Sequence, residues 1–327
     1  FRSASRNLCW GTCQESGYSV NILFMTLIDF WSLDDRGIYT DLMREFAKNG
    51  HKVYIMSPIE RRNKKSTTVI KHDNYQILKI KIGNIQKTNI IEKGISILTF
   101  EKAYVSAIKK YFANVKFDLV LYSTPPITLL KAVNYVKRRD NAKCYLLLKD
   151  IFPQNAVDLG MLKTSGLSGI LYRYFRKKEK KLYAISDHIG CMSEANVEFV
   201  LRNNPEICQD KVEVCPNSIE PYVIDKVDTE IRQIRSKYQI PDGKIIFIYG
   251  GNLGRPQGID FIVECLRSNK RRDEAFFIIV GSGTEYHRLE KFLVQEDISN
   301  ALLIPQLPKN DYEMLALSCD VGLLFLD

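Results

Sequence analysis

"IIFIYGGNLGRPQGIDF", residues Ile245–Phe261, is the stretch on which the fold turns. Five apolar residues run straight into Gly250, Gly251, Gly254 and Gly258, and a helical pattern follows. A short, unbroken apolar run reads as a parallel strand buried on both faces. A glycine-rich turn into a helix lets backbone N–H groups approach an anion, with the partial positive charge of the helix N-terminus behind them. A second stretch, "IIVGSGTEYHRLEKFL", repeats the arrangement at Gly281 and Gly283. Either loop alone is as well explained by a tight turn. Two of them after successive strands of one sheet favour a phosphate or nucleotide site, because ligands of open α/β sheets bind beyond the carboxyl ends of the strands.

The same alternation extends in both directions. "KIIFIYG", "AFFIIVG", "ALLIPQ" and "VGLLFL" read as strands separated by helical patterns. In the first half "NILFMT", "KVYIMSP", "NYQILKIKI", "FDLVLYSTPP", "KCYLLLKD", "HIGCMS" and "KVEVCPN" do the same, with "NYQILKIKI" alternating at period two as an edge strand would. "RGIYTDLMREFAKNGHK" places Ile38, Leu42 and Phe46 on one helical face and stops at Asn49-Gly50, and a long helix is expected around Ile91–Phe112. Apolar strands between amphipathic helices imply parallel sheets covered on both faces. The polar stretch "EPYVIDKVDTEIRQIRSKYQIPDG" marks a change of domain. The expected fold class is α/β, two Rossmann-like domains facing a cleft: residues 21–225, then 226–327, the second incomplete. Residues 1–20 show neither period and no signal-peptide core, and read as a non-native or disordered leader. The final "DVGLLFLD" reads as a buried strand cut short, so the chain is expected to continue.

Composition bounds the function. At 327 residues, 45% apolar and 26% charged, the chain suits two soluble domains. No apolar run approaches the roughly 18–20 residues a membrane span needs. A net charge of +9 suits nucleic acid, anionic lipid or phosphorylated small molecules equally. The chain lacks the aromatic–basic interleaving of an RNA-binding sheet, so no nucleic-acid partner is expected. Eight scattered cysteines without a CxxC suit a reduced, cytoplasmic protein. His51, His72, His188 and His287 form no pair with metal-ligand spacing, and neither GxSxG nor GxxxxGK[ST] is present. Asp150, ending "KCYLLLKD", would face the cleft if its strand is parallel to its neighbours, there to meet an acceptor hydroxyl; capping the next turn explains it equally well. "GLSGILYRYFRKKEKKLY" (Gly166–Tyr183) puts Leu167, Ile170, Leu171, Tyr174 and Phe175 on one helical face, with Arg173, Arg176, Lys177, Lys180 and Lys181 opposite. That pattern fits a helix lying on an anionic membrane surface, or an ordinary domain helix with a solvated basic face.

The order "NILFMT…RGIYTDLMREFAKNGHKVYIMSP", "CMSEANVEFV", "PNSIEP", "YGGNLGRPQGIDFIVECL", "FIIVGSGTEYHRLE" and "LPKNDYEMLALSCDVGLLFLD" resembles the GT-B glycosyltransferases of family 4 over Asn21–Asp327. Within these it is most similar to the branch that builds bacterial capsule and O-antigen N-acetylamino sugars. The resemblance implies a retaining transfer from a nucleotide sugar such as a UDP-sugar, with no metal or other cofactor. It also implies a lipid-linked saccharide acceptor and work at the inner face of the cytoplasmic membrane. By position, Gly251, Asn252 and Gly254 would lie under the donor diphosphate, Gly281 and Gly283 would shape the nucleotide pocket, and the Pro305–Pro308 turn, with Gln306 and Leu307, would border the base. Arg36 and Gly37 would sit on the acceptor and phosphate side. Where many members carry Arg and Lys in the first loop, this chain has Asn252 and Gln257, leaving Arg255 to supply charge. The family's later acidic motif lies past Asp327, so the 327 residues alone would be inactive. A nucleotide-sugar epimerase on the same architecture, or a non-catalytic anion- or RNA-binding module, is the alternative.

Overall fold

The computed structural model describes residues 19–85, 90–221 and 228–325. Nearly all of the expected leader and the expected junction at 225/226 lie outside them. The chain divides into two compact units, Phe1–Pro221 and Tyr222–Asp327.

The first unit runs β1 (Asn21–Met25), α1 (Ile38–Lys48), β2 (Lys52–Glu60), β3 (Thr68–Lys71), β4 (Tyr75–Ile82), α2 (Ile90–Tyr111), β5 (Leu119–Thr124), α3 (Leu130–Asp140), β6 (Lys143–Leu148), α4 (Gln154–Asp158), α5 (Gly166–Ile185), β7 (His188–Cys191), α6 (Glu194–Asn203) and β8 (Val212–Val214). Its eight strands lie in the order β3-β4-β2-β1-β5-β6-β7-β8. All neighbours are parallel except β3 against β4. Side chains alternate across a strand, so Leu23 and Met25 of β1 enter one core with Tyr104, Phe117 and Tyr122, while Ile22 and Phe24 enter another with Met43, Val53 and Ile55. Two buried faces are why "ILFM", the four residues after Asn21, has no polar residue.

Two expectations change. β4 is not an edge strand: it lies between β2 and β3, and the antiparallel β3, whose "TVIK" is too short to show a period, takes the edge. The period-two pattern of "QILKIKI" misleads because one of its polar positions, Lys79, is fully buried. The basic helix α5 also turns differently. Its buried face is Glu179, Leu182 and Tyr183, Phe175 is half-buried, and Ile170, Leu171 and Tyr174 are left exposed. Arg176 is committed to the protein: it pairs with Glu179 at 2.6 Å and donates to the Asn203 carbonyl and Asn204 Oδ1. Lys180 reaches Glu206 at 3.0 Å. Arg173, Lys177 and Lys181 remain exposed. The Leu167 side chain lies outside the described residues.

The second unit runs α7 (Asp228–Lys237), β9 (Ile245–Asn252), α8 (Ile259–Asn269), β10 (Ala275–Ser282), α9 (Tyr286–Gln295), β11 (Ala301–Ile304), α10 (Lys309–Leu317) and β12 (Val321–Gly322). Its sheet, β11-β10-β9-β12, is wholly parallel. Phe277 and Ile279 join Tyr249 and Leu253 in one core, and Ile278 and Val280 join Ile246 and Ile248 in the other. β12 departs from expectation. Among the described residues it is a two-residue strand paired with β9 alone, and both of its residues are exposed.

Candidate donor and acceptor sites

The opening stretch folds as the strand β9, a turn and the helix α8, and its four glycines have four separate reasons to be there. At Gly250 a Cβ would lie 2.2 Å from the Tyr312 ring, which therefore rests on bare backbone. At Gly254 it would meet the side-chain amide of Asn252 at 2.8 Å. Gly258 caps α8 at φ 56°, where other L-residues are strained. Gly251 is exposed and has the most room of the three not at positive φ: the nearest obstacle is the Tyr249 hydroxyl at 3.2 Å. The two glycine loops are also bound together. The Leu253 amide donates to the Ser282 carbonyl, and the Leu253 carbonyl accepts from the Glu285 amide, both at 2.9 Å. That closeness explains "GSG". A Cβ on Gly281 would lie 1.9 Å from the Gly251 carbonyl oxygen, and one on Gly283 would lie 2.2 Å from that of Leu253.

Beyond the carboxyl ends of β9, β10 and β11 this arrangement leaves a cavity of about 420 Å³. Gly250, Gly251, Asn252, Gly281, Ser282, Gln306, Leu307 and Tyr312 line it, together with Val280. Of the residues expected at the donor, Gly251, Asn252, Gly281, Gln306 and Leu307 are brought together there, and Ser282 Oγ donates to Gln306 Oε1 at 3.0 Å. Gly254, Gln257 and Gly283 stand back and hold the loop: Asn252 Nδ2 donates to Gln257 Oε1 at 3.0 Å. The side chain of Arg255 lies outside the described residues. Sequence reading missed Tyr312. Its signal was faint, a tyrosine on the first turn of a helix introduced by Pro308, but the need for a glycine at position 250 is the other half of it.

The first unit gathers a second group. α1 begins directly after Gly37, whose backbone is extended and whose amide donates to Asp41 Oδ1 at 3.1 Å. Asp41 also accepts from the Glu220 amide at 3.0 Å and from Arg44 at 2.5 Å. Burial opposes ionisation of Asp41, but the Glu220 and Gly37 amides and the Arg44 guanidinium outweigh it and hold its carboxyl below the ordinary value. The Gly37 amide is thus spent within the protein, and Arg36 stands half-buried beside it. Asp150 follows the end of β6, which is parallel to β5 and β7, and burial pushes its carboxyl upward. Thr124 Oγ1 donates to the Asp150 carbonyl at 3.2 Å, tying the ends of β5 and β6 together. Tyr39, on the first turn of α1, was not anticipated. Burial raises its phenol pKa, a hydrogen bond with Ser123 lowers it, and the Asp150 charge raises it again, so all three groups share one polar corner. Lys149, beside them, is pushed down by burial.

Among the described residues no group of three or more His, Cys, Asp or Glu could hold a metal ion, and no helix is long and apolar enough to cross a membrane. Cys144 and Cys191 are buried free thiols, pushed by burial to about 12 and about 11.

The fold is the GT-B glycosyltransferase fold. The solved structure of trehalose-6-phosphate from E. coli bound with UDP-2-fluoro glucose superposes with a TM-score of 0.69 at 10% identity, over 94% of this chain and 78% of that one. Within it, residues 230–324, which contain the 420 Å³ cavity, match the sequence model of the family described as glycosyl transferases group 1. The chain is 24% identical over 260 residues to the probable glycosyltransferase WbjE of Pseudomonas aeruginosa, covering 76% of this chain. It is 24% identical over 192 residues to the putative colanic acid biosynthesis glycosyl transferase WcaI of Escherichia coli strain K12, covering 58%. The matches span 60% and 46% of those relatives' lengths.

Proposed function

We propose that the protein carrying this chain is a retaining glycosyltransferase. It moves a sugar, in our reading an N-acetylamino sugar, from a UDP-linked donor to a lipid-linked or glycan acceptor in the synthesis of a surface polysaccharide. The observation that carries the reading is the cavity beyond β9, β10 and β11, floored by the bare backbone of Gly250, Gly251 and Gly281 within the segment that matches the family. Open backbone at the carboxyl end of a parallel sheet suits a diphosphate, and Gln306 and Leu307 in the same lining suit a base. The printed name of one relative, the putative colanic acid biosynthesis glycosyl transferase, adds the polysaccharide setting. In this proposal Asp150 and Tyr39 receive the acceptor hydroxyl, the branch and the metal-free chemistry come from the family resemblance, and the protein works at the cytoplasmic face of a membrane. Incubating the full-length protein with radiolabelled UDP-sugars and membrane lipid, with and without EDTA, tests it. Label should pass to lipid or glycan with the anomeric configuration kept and EDTA without effect. Interconversion of the free sugar nucleotide, or inverted product, would overturn the assignment.

A further inference from the structure

β2 and β4 outrun the strand beside them. β1 ends at Met25, opposite Met56, whereas β2 and β4 stay paired from Ser57–Lys79 to Glu60–Ile82. The turn that leaves β2 therefore stands above the carboxyl end of β1. It reads "RRNKKST", residues 61–67, and with Glu60 it sets four cations against one carboxylate. Arg61, Arg62, Lys64 and Lys65 are all exposed.

The turn is held in one shape. The Arg62 amide donates to Asn84 Oδ1 at 2.9 Å, and Thr67 Oγ1 accepts from the Lys81 amide at 3.0 Å, which ties both its limbs to β4 and the residues just after it. Lys64 stands at φ 53°, a conformation natural to glycine and strained for lysine, and its amide donates to the Arg61 carbonyl at 3.1 Å. The Lys65 ammonium lies 4.0 Å from the centre of the Trp31 ring, and the buried Lys79 reaches the same ring at 4.5 Å. Burial pushes Lys79 down, Asp29 draws it back up, and the Lys65 charge pushes it down again. Two cations that feel each other across one ring are stabilised by an arriving anion.

The remaining side chains narrow what that anion belongs to. Asn63, Ser66 and Thr67 are neutral hydrogen-bonding groups, and residues 61–67 include no apolar side chain. A helix or loop that rests on a membrane surface pairs its cations with apolar anchors. A single-stranded nucleic acid stacks on a bare aromatic face, and the Trp31 ring is already engaged by two ammonium groups. Cations set among amides and hydroxyls suit a ligand that is both hydroxylated and anionic, a sugar that carries a carboxylate. In the order β2-β1-β5-β6 the turn stands three strand spacings from the end of β6 and Asp150, about 14 Å, which is farther than one sugar ring spans.

We propose that residues 61–67 bind a carboxylate-bearing sugar of the acceptor glycan, set back from the sugar that receives the new unit. The word acceptor rests on the glycosyltransferase reading, but the binding test does not. Tetragalacturonate, and the same tetrasaccharide with its carboxyls reduced to alcohols, are titrated into the full-length protein. The acid form should bind at least tenfold more tightly at low salt, and the amide signals of residues 61–67 should move with it and not with the reduced form. Lys64→Gln and Lys65→Gln should each weaken the acid form about threefold to fivefold, the upper range for exposed charge pairs, and leave the reduced form unchanged. Lys64→Gly suits the left-handed backbone and loses the charge. Its urea midpoint should be at least that of the parent while it binds the acid form as weakly as Lys64→Gln, which separates binding from folding. Equal binding of the two tetrasaccharides, signals that move elsewhere than the turn, or an acid preference that survives both substitutions would overturn the proposal. So would tripolyphosphate binding the turn as tightly as tetragalacturonate, the mark of a general anion surface. Loss of phosphatidylglycerol-vesicle binding in the two variants, with tetragalacturonate unaffected, would give the turn to a membrane instead. Binding of tetragalacturonate without any sugar transfer would sink only the glycosyltransferase reading, and transfer indifferent to carboxylates in the acceptor would sink only this one.

Discussion

The glycines of the second unit differ in what a methyl group would meet, and this allows folding and ligand binding to be separated. In Gly281→Ala the new Cβ would stand 1.9 Å from the Gly251 carbonyl oxygen, a backbone atom of the neighbouring strand that cannot swing aside. Relief needs the ends of β9 and β10 to part by more than about 1 Å, which disturbs the pairs Gly281–Gly251 and Ser282–Asn252 and the Leu253 amide bond to Ser282. Overpacking of this kind costs about 1–3 kcal/mol, and each ladder bond lost adds about 1 kcal/mol. A total near 3 kcal/mol is expected, a hundredfold change in the unfolding equilibrium. In Gly251→Ala the nearest atom is the end of the Tyr249 side chain at 3.2 Å, so stability should change by less than about 1 kcal/mol. Its methyl group would instead stand in the cavity where we place the diphosphate. A lost charge-assisted contact is worth about 1.5–3 kcal/mol, so UDP should bind at least tenfold more weakly. Urea unfolding and UDP titration of the same two preparations give both numbers. If Gly251→Ala binds UDP like the parent, the donor assignment is wrong; if Gly281→Ala is as stable as the parent, the packing argument is wrong.

Three further outcomes follow from single side chains. Tyr312→Ala uncovers Gly250 and widens the cavity; UDP should bind more weakly while Gly250→Ala, which clashes with the ring in the parent, becomes tolerated in the double variant, as paired urea midpoints would show. Asp41→Asn should destabilise by about 1–2 kcal/mol at neutral pH, discounted for the solvent that reaches the Arg44 pair. Because the folded carboxyl is held below its unfolded value of 3.8, the stabilisation is whole above that value and is lost as pH falls through the folded one, so parent and variant should converge only in that acid range. Lys79 is fully buried, pushed down by burial and drawn back up by Asp29, and it lies near Ser57 and 4.5 Å from the Trp31 ring. Lys79→Met keeps the apolar stem and leaves Asp29 free to hydrate, so global stability should stay within about 1 kcal/mol while amide exchange quickens across residues 27–36; a loss of several kcal/mol would mean that the charge itself holds the fold.

How much of this was legible in the sequence depends on whether a residue's neighbours are close in the chain. The runs "ILFM" and "IIFIYG" announced themselves because burial on both faces leaves apolar residues almost alone, and no distant partner is needed to read that. β4 was legible as a strand but not as an interior one, since its place depends on β3 joining its outer edge. α5 was legible as a helix, yet the spacing from Leu167 to Phe175 that suggested one apolar face could not know that Glu179 would turn inward to Arg176 and the Tyr183 hydroxyl. A buried carboxylate with two partners overrides a hydrophobic stripe, because leaving it unpaired would cost more than exposing Ile170 and Leu171.

The candidate site divides along the same line. Gly251 and Gly281 were legible as a pair of loops, but their difference in role was not, because it is set by a carbonyl oxygen across two strands rather than by either loop's composition. Tyr312 was missed for a related reason. A glycine states only that something needs room, and here the occupant comes from a helix more than 60 residues later, as the spacing of Gly250 and Tyr312 shows. Read together, the two residues make a stronger statement than either: a ring kept on bare backbone at the edge of a backbone-lined cavity can cover one face of whatever enters. The double variant therefore decides whether the ring and the glycine are packed as a pair, and UDP binding by Tyr312→Ala decides whether Tyr312 belongs to the site or merely to the core.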